Sequence, residues 1–189
     1  MHDATKILRQ EHEVILRILD VTEKNAQALE AGAEVPAEVL SNTIEFLRLY
    51  ADRQHHGKEE DLLFPEMEKK GMPREGGPIG MMLIEHKFGR GHIARMAEAA
   101  EAYQSGDREA AAQWADAALD YVALLREHIA KENNILFVMA ERMLSPDDQQ
   151  RLAAEFDGVD KNKMGEGEGD RLLRLADSLV VGVSAPAKG

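Results

Sequence analysis

The chain has 189 residues, enough for one domain with a substantial core, and its 23 basic against 35 acidic residues leave a net charge of −12. That charge makes a nucleic-acid backbone or an anionic membrane surface an unsuitable partner. There is no cysteine, which excludes disulfides, thiolate-held zinc or iron–sulfur groups and thiol catalysis, so any metal must be held by His and carboxylate side chains. With no signal-peptide pattern and no apolar run able to span a bilayer, the expectation is a cytoplasmic protein with neither nucleic acid nor membrane as partner.

In chain order, the first predicted helix runs from about Asp3 to Ala31. Leu8, His12, Ile15, Leu19, Thr22, Ala26 and Leu29 alternate in steps of four and three along it, a bundle seam with a histidine inside it. Gly32 stops it, and Pro36 suits the first turn of the next. The second helix is expected from about Pro36 to Lys70, with Ile44, Leu47, Ala51, His55, Glu59 and Leu62 inward and His56 and Glu60 flanking them. Pro65 should kink or shorten it. The Gly- and Pro-rich stretch from Gly71 to Gly80 joins the two halves.

The third helix is predicted from about Pro78 to Gln104, with Ile79, Leu83, His86, Arg90, Ile93 and Ala97 on one face. Gly89 and Gly91 weaken it locally and suggest a close helix contact or access to a site. The fourth, from about Asp107 to Leu144, has Trp114, Ala117, Tyr121, Leu124, Leu125, His128, Glu132, Ile135 and Met139 in its seam. Ser145-Pro146-Asp147-Asp148 starts a short helix reaching about Phe156, with a Ser cap, Pro in the first turn and acids at the positive end. Lys161 to Gly169 reads as a linker, Asp170 to Leu179 as one more helix, and the last residues as frayed. The fold expected is all-α, an up-down-up-down four-helix bundle over residues 1–157, with a linker and short helix or tail over 158–189.

Two halves of the chain echo one another. His55 and Glu59 recur as His128 and Glu132, 73 residues on, each followed by the same Leu-Phe word, and Glu11-His12 recurs 74 residues on as Glu85-His86. A His and a Glu four residues apart share one face of a helix. A lone seam histidine is most often a hydrogen-bonded core residue, and one His–Glu pair a solvated one. Four His and two Glu on inward faces, related by an internal repeat, ask for more: burying two carboxylates costs several kcal/mol each unless something compensates. A dinuclear metal centre supplies the compensating charge. His, Glu and no Cys suit iron, manganese or zinc. Two glutamates on facing helices can each bridge two ions and four histidines can cap them, leaving room for a bridging oxo or hydroxo group and one small exogenous ligand such as dioxygen, nitric oxide or peroxide.

The pattern His12, His55-x-x-x-Glu59, His86, His128-x-x-x-Glu132, with the run His-His-Gly-Lys-Glu-Glu-Asp-Leu-Leu-Phe-Pro, resembles the hemerythrin-like, or HHE cation-binding, family over about residues 3–157. The resemblance implies a four-helix bundle with a non-haem di-iron centre, two iron ions held by His12, His55, His86 and His128 as terminal ligands and by Glu59 and Glu132 as bridges. Two departures stand out. Oxygen carriers of the family have a His four residues after the third-helix ligand, where this chain has Arg90. They also end the fourth-helix motif in Asp, one residue further along, where this chain has Glu132. The first departure implies an open or water-filled corner on one iron, favouring a reactive or sensing site over reversible oxygen carriage.

His92 reads as a surface or supporting residue, His2 as a terminal bystander, Arg90 as a supporting donor, a charge that steers anions inward or a side chain reaching to solvent, and His56 and Glu60 as supporting groups, one of them a ligand if helix two is rotated. Tyr121 reads as a core residue or a hydrogen-bonding or redox group near the metals, and Met81, Met82, Met96 and Met139 as core filler. Three functions remain open from sequence: a di-iron module that binds or senses a small molecule, a di-iron enzyme acting on peroxide or nitric oxide or in iron-centre repair, and a structural bundle with a vestigial or zinc-filled site.

Overall fold

The computed structural model describes residues 3–159 and 165–184, and every regular element among them is helical. Helix α1 spans Ala4–Glu30. It ends in a Schellman motif: Gly32 adopts a φ of 78°, its N–H donates to Leu29 O at 3.0 Å, and Ala33 N–H donates to Ala28 O at 2.9 Å. The second helical run is continuous but not uniform. It comprises α2 (Ala37–Phe46), a π-helical segment Leu47–His56, a second π-helical segment Glu59–Leu63, and α3 (Phe64–Lys69). Pro65 does not end the run. It falls in the first turn of α3, directly after a π segment, and such local widening lets a helix continue past a missing donor.

Helix α4 spans Pro78–Gln104, the residues expected for it, with Pro78 in its first turn. The fourth run comprises α5 (Glu109–Lys131), a π segment Glu132–Leu136 and α6 (Phe137–Met143). Helix α7 (Pro146–Val159) starts as its sequence suggests: Asp148 N–H donates to Ser145 Oγ at 3.2 Å, while Ser145 N–H donates to the Asp148 carboxylate at 3.0 Å. Helix α8 (Glu168–Ser184) is longer than expected and lies against α1 and α2. Its Leu172, Ala176 and Leu179 join the main core, and Arg171 pairs with Glu45 at 2.8 Å. Much of the expected linker, the last five residues and His2 lie outside the described residues.

The core is split. One apolar cluster contains Ile15, Leu19, Phe46, Leu47, Trp114 and Tyr121, and is extended by α8. A second contains Leu8, Leu63, Phe64, Phe137 and, from α7, Leu152 and Phe156. Between them on α1 sits His12, with Leu8 on one side and Ile15 on the other. The seam histidines of the other runs lie at the same boundary, so the bundle carries a buried polar layer between two apolar ones.

Candidate metal centre

The π segments decide what the polar layer contains. A π turn holds one more residue than an α turn, so the inward face slips by one position on crossing it. Leu63 is fully buried where Leu62 was expected, and Leu136 is buried where Ile135, now half exposed, was expected. In the second run the slip brings His56 inside as well: His55 and His56 are both buried, with Glu59 below them. The reading of His56 as a flanking residue is therefore corrected. Its ring stacks on that of His86 with 3.8 Å between centroids.

Two groups of buried donors result. One is His12, His55, Glu59 and Glu132; the other is His56, Glu59, His86 and His128. Within each group the donor atoms lie within 4.8 Å of one another. Glu59 belongs to both groups, and Glu132, a member of the first, also reaches one histidine of the second. Glu132 lies 3.1 Å from His12 Nε2 through one oxygen and 3.2 Å from His128 Nε2 through the other. Glu59 lies 3.7 Å from His55 Nε2 and 3.5 Å from His86 Nε2 in the same way.

Every ring is pinned through its other nitrogen. Nδ1 of His12 meets Asn133 Oδ1 at 3.0 Å, that of His55 meets Glu11 at 2.9 Å, and that of His56 meets Asp52 at 3.3 Å. Nδ1 of His86 meets Glu60 at 2.7 Å and that of His128 meets Glu85 at 2.9 Å. Such partners fix ring orientation and leave Nε2 to face the centre. Lys58, fully buried, reaches Glu11 at 2.5 Å, and Lys131 pairs with Glu85 in the corresponding place.

Inside this frame, Nε2 of His12 and His55 and all four oxygens of Glu59 and Glu132 are buried without a hydrogen-bond partner. The short His–Glu contacts lack hydrogen-bond geometry because the atoms converge on common points instead of on each other. Buried polar atoms left this way are costly. The donor set, imidazole and carboxylate without thiolate, fits a pair of first-row cations.

The electrostatics agree. Burial holds the His55 ring well below the ordinary imidazole value, helped by the neighbouring His12 and His56 rings. Burial and His86 push His56 down to about 3 against its bond to Asp52. Burial likewise lowers His86, with Glu60 opposing. For His128 burial also works downward, but Glu132 and Glu85 outweigh it and raise the ring to about 9. Burial and the facing Glu132 drive Glu59 well above the carboxylate range. Burial opposes ionisation of Glu132 too, yet His128 and His12 hold it well below that range. Without a cation, then, only one of the two central carboxylates ionises readily. A bound cation favours the ligating forms throughout, neutral imidazole and charged carboxylate.

The family profile described as "Hemerythrin HHE cation binding domain" matches residues 3–140. The chain belongs to this hemerythrin HHE family. It is also 24% identical over 163 residues to uncharacterized proteins of Mycobacterium bovis and of two strains of Mycobacterium tuberculosis. That alignment covers 86% of this chain and 63% of each relative, so the chain spans under two thirds of their length. No solved structure matches the chain.

Within this hemerythrin-type layer the structure brings together His12, His55, Glu59, His86, His128 and Glu132, and adds His56. Glu60 stays outside the donor groups and holds His86. Arg90 is a supporting donor, one of the readings open for it: it donates to Asp52 at 2.8 Å and to Glu60 at 2.7 Å. His92 lies apart, 3.9 Å from Asp120. Tyr121 is buried with its hydroxyl unpartnered, and burial raises its pKa. Met82 and Met96 are core residues as expected, but Met81 is half exposed. The supporting residues Glu11, Lys58, Glu85, Lys131 and Asn133 were not anticipated. The signal was present: Glu11 and Glu85, and Lys58 and Lys131, occupy equivalent places in the internal echo. No helix among the described residues is long and apolar enough to cross a membrane.

Proposed function

We propose that this chain is a non-haem di-iron protein that binds, senses or reacts with dioxygen, nitric oxide or peroxide. The observation that carries the reading is the convergence of imidazole Nε2 atoms and four carboxylate oxygens on two adjacent points, with every Nδ1 already engaged. His12, His55, Glu59 and Glu132 would hold one iron; His56, His86 and His128 would hold the other, with Glu59, and with Glu132 beside His128, shared between them. The runs follow one another up-down-up-down. Support comes from the contacts between α4 and α5, where Glu85 meets Lys131 and Arg95 meets Asp120, the order of opposed helices. The bundle proper ends near residue 157, and α8 is an extension docked on it.

A ferrous pair held there would supply electrons to a small oxidant or gas. The chain's part is to exclude bulk water with the two apolar clusters, fix the rings and share the charge. The position served by two imidazoles has one imidazole fewer than its neighbour, and we assign the exogenous ligand to it. Metal analysis combined with an optical spectrum, on protein purified under controlled oxygen, tests the reading. Two irons per chain are expected, with a spectrum altered by azide, peroxide or nitric oxide. Air should oxidise the reduced protein without a long-lived reversible adduct. Protein that holds no iron, or whose iron spectrum ignores all three ligands, would sink the proposal.

A further inference from the structure

The internal echo extends beyond the donors to the groups that hold them, and there it breaks. Glu11 corresponds to Glu85, His12 to His86, His55 to His128 and Lys58 to Lys131. The matching contacts are kept: Glu11 holds His55 as Glu85 holds His128, and a lysine meets each glutamate. The equivalents of His56, Asp52, Glu60 and Arg90 are Ile129, Leu125, Asn133 and Leu16. These four departures are not scattered. They form one connected cluster: Arg90 bridges Asp52 and Glu60, Asp52 meets His56, and Glu60 meets His86.

The cluster serves only one of the two donor groups. All three imidazoles of the His56, His86 and His128 group are backed by carboxylates, from Asp52, Glu60 and Glu85. In the other group His55 is backed by Glu11, but His12 has only the neutral amide of Asn133. A carboxylate behind an imidazole raises its basicity as a ligand, and losing such a partner costs on the order of 10–100-fold in metal affinity. Charge points the same way. Glu11 is matched by the fully buried Lys58, whereas Asp52 and Glu60 share the single, partly exposed Arg90.

We propose that the centre loads in order. The His56–His86–His128 position takes the first ion, the His12–His55 position takes the second, and the Asp52–Glu60–Arg90 cluster supplies the difference. This inference rests on the two-metal reading above. Under limiting metal the chain holds a single ion at the three-imidazole position, with the two-imidazole position completing the pair.

The test is a titration of metal-stripped full-length chain with manganese(II), followed by electron paramagnetic resonance and by competition with a chelator. Well below one equivalent, the spectrum should be mainly that of isolated ions. The second equivalent should convert it to a coupled pair, and the two binding constants should differ by about tenfold or more. Glu60→Asn copies the other half of the repeat and should weaken the first constant by about 10-fold or more while sparing the second. Asn133→Glu does the converse: it should tighten the second constant and narrow the gap, and as an addition at a partly exposed position it keeps the test alive if Glu60→Asn folds poorly. Uptake of two ions in one step, with half-loaded samples showing only coupled pairs, would overturn ordered loading and leave the two-metal reading standing. Uptake of one ion or none at saturation would overturn both. Ordered loading with a gap unchanged in Asn133→Glu would overturn the role given to the cluster.

Discussion

The polar layer and the apolar clusters on either side of it are buried to the same degree but are stabilised in opposite ways. Around Leu19 and Phe46, or around Phe64 and Phe137, burial is itself the stabilisation, and each apolar side chain is complete once covered. In the layer between them, burial is a cost of several kcal/mol per charge that only a partner can offset. The outer shell of the layer is offset by protein, through Lys58, Lys131 and Arg90. Its inner shell is offset only in part: His128 and His12 face Glu132, while both oxygens of Glu59 and the Nε2 atoms of His12 and His55 have no hydrogen-bond partner. Folding information and site information are thus separated along the bundle axis, and each can be broken without the other.

The largest effect should come from Glu59→Ala. Its two oxygens face both donor groups, so the variant should lose at least half of the bound metal by elemental analysis. The metal-free variant should be no less stable than the metal-free wild type, because a buried carboxyl group without a hydrogen-bond partner has been removed. Full metal retention would contradict the bridging position, and a collapse of the metal-free variant would contradict the view of the layer as a stability cost. Glu132→Ala should lose metal likewise.

Trp114→Ala breaks the other side of the comparison. Trp114 is fully buried in the larger cluster, and truncating a buried aromatic costs about 3–5 kcal/mol. Denaturant unfolding should show that loss, while metal bound per folded chain stays at the wild-type value. A parallel fall in metal content would mean that the cluster and the layer are coupled.

Stripping the metal should lower the melting temperature without altering helix content below it. A ligand of the native state alone stabilises by about 4 kcal/mol at a thousandfold excess over its dissociation constant. Identical melting of the stripped and loaded protein would show that the layer is satisfied without metal.

Much of this organisation was legible in the sequence, and the part that was not has a definite physical origin. Helix ends are written in single residues with strong conformational demands, so Pro78–Gln104 could be read off directly, as could the Ser145 cap. The seam histidines His12, His86 and His128 sit where a period near 3.6 places them. The π segments left no such mark. Leu62-Leu63, Ile135-Leu136 and His55-His56 are pairs of like residues, so either register satisfies the pattern, and only the hydrogen-bond ladder chooses. That is why periodicity alone puts Leu62 inside in place of Leu63, and His56 on the flank. The supporting charges were missed for another reason. Glu11 and Lys58 lie on different helices, and periodicity along one helix says nothing about distances to the next.

Gly89 offers the smallest test and the finest one. It lies inside α4, where a glycine costs up to about 1 kcal/mol relative to alanine. The sequence offered two reasons for tolerating it, a close helix contact or access to the site. The structure supplies a neighbour but not a clash: a Cβ added there would meet Cε2 of Tyr121 at 3.5 Å, an ordinary van der Waals contact. Gly89→Ala should therefore stabilise the protein by about 0.5–1 kcal/mol, through the reduced freedom of the unfolded chain and the added apolar contact. For a chain of this size that is a rise of about 1–4 °C in melting temperature. Metal content should not change, because the new methyl group meets the apolar ring of Tyr121. If the gap beside that ring is instead a route by which small molecules reach the layer, the methyl group will narrow it. The rate of azide binding to the loaded protein would then fall while the melting temperature still rose. A drop in melting temperature would mean that α4 and α5 cannot admit even one methyl group here, and that the glycine is held for close packing.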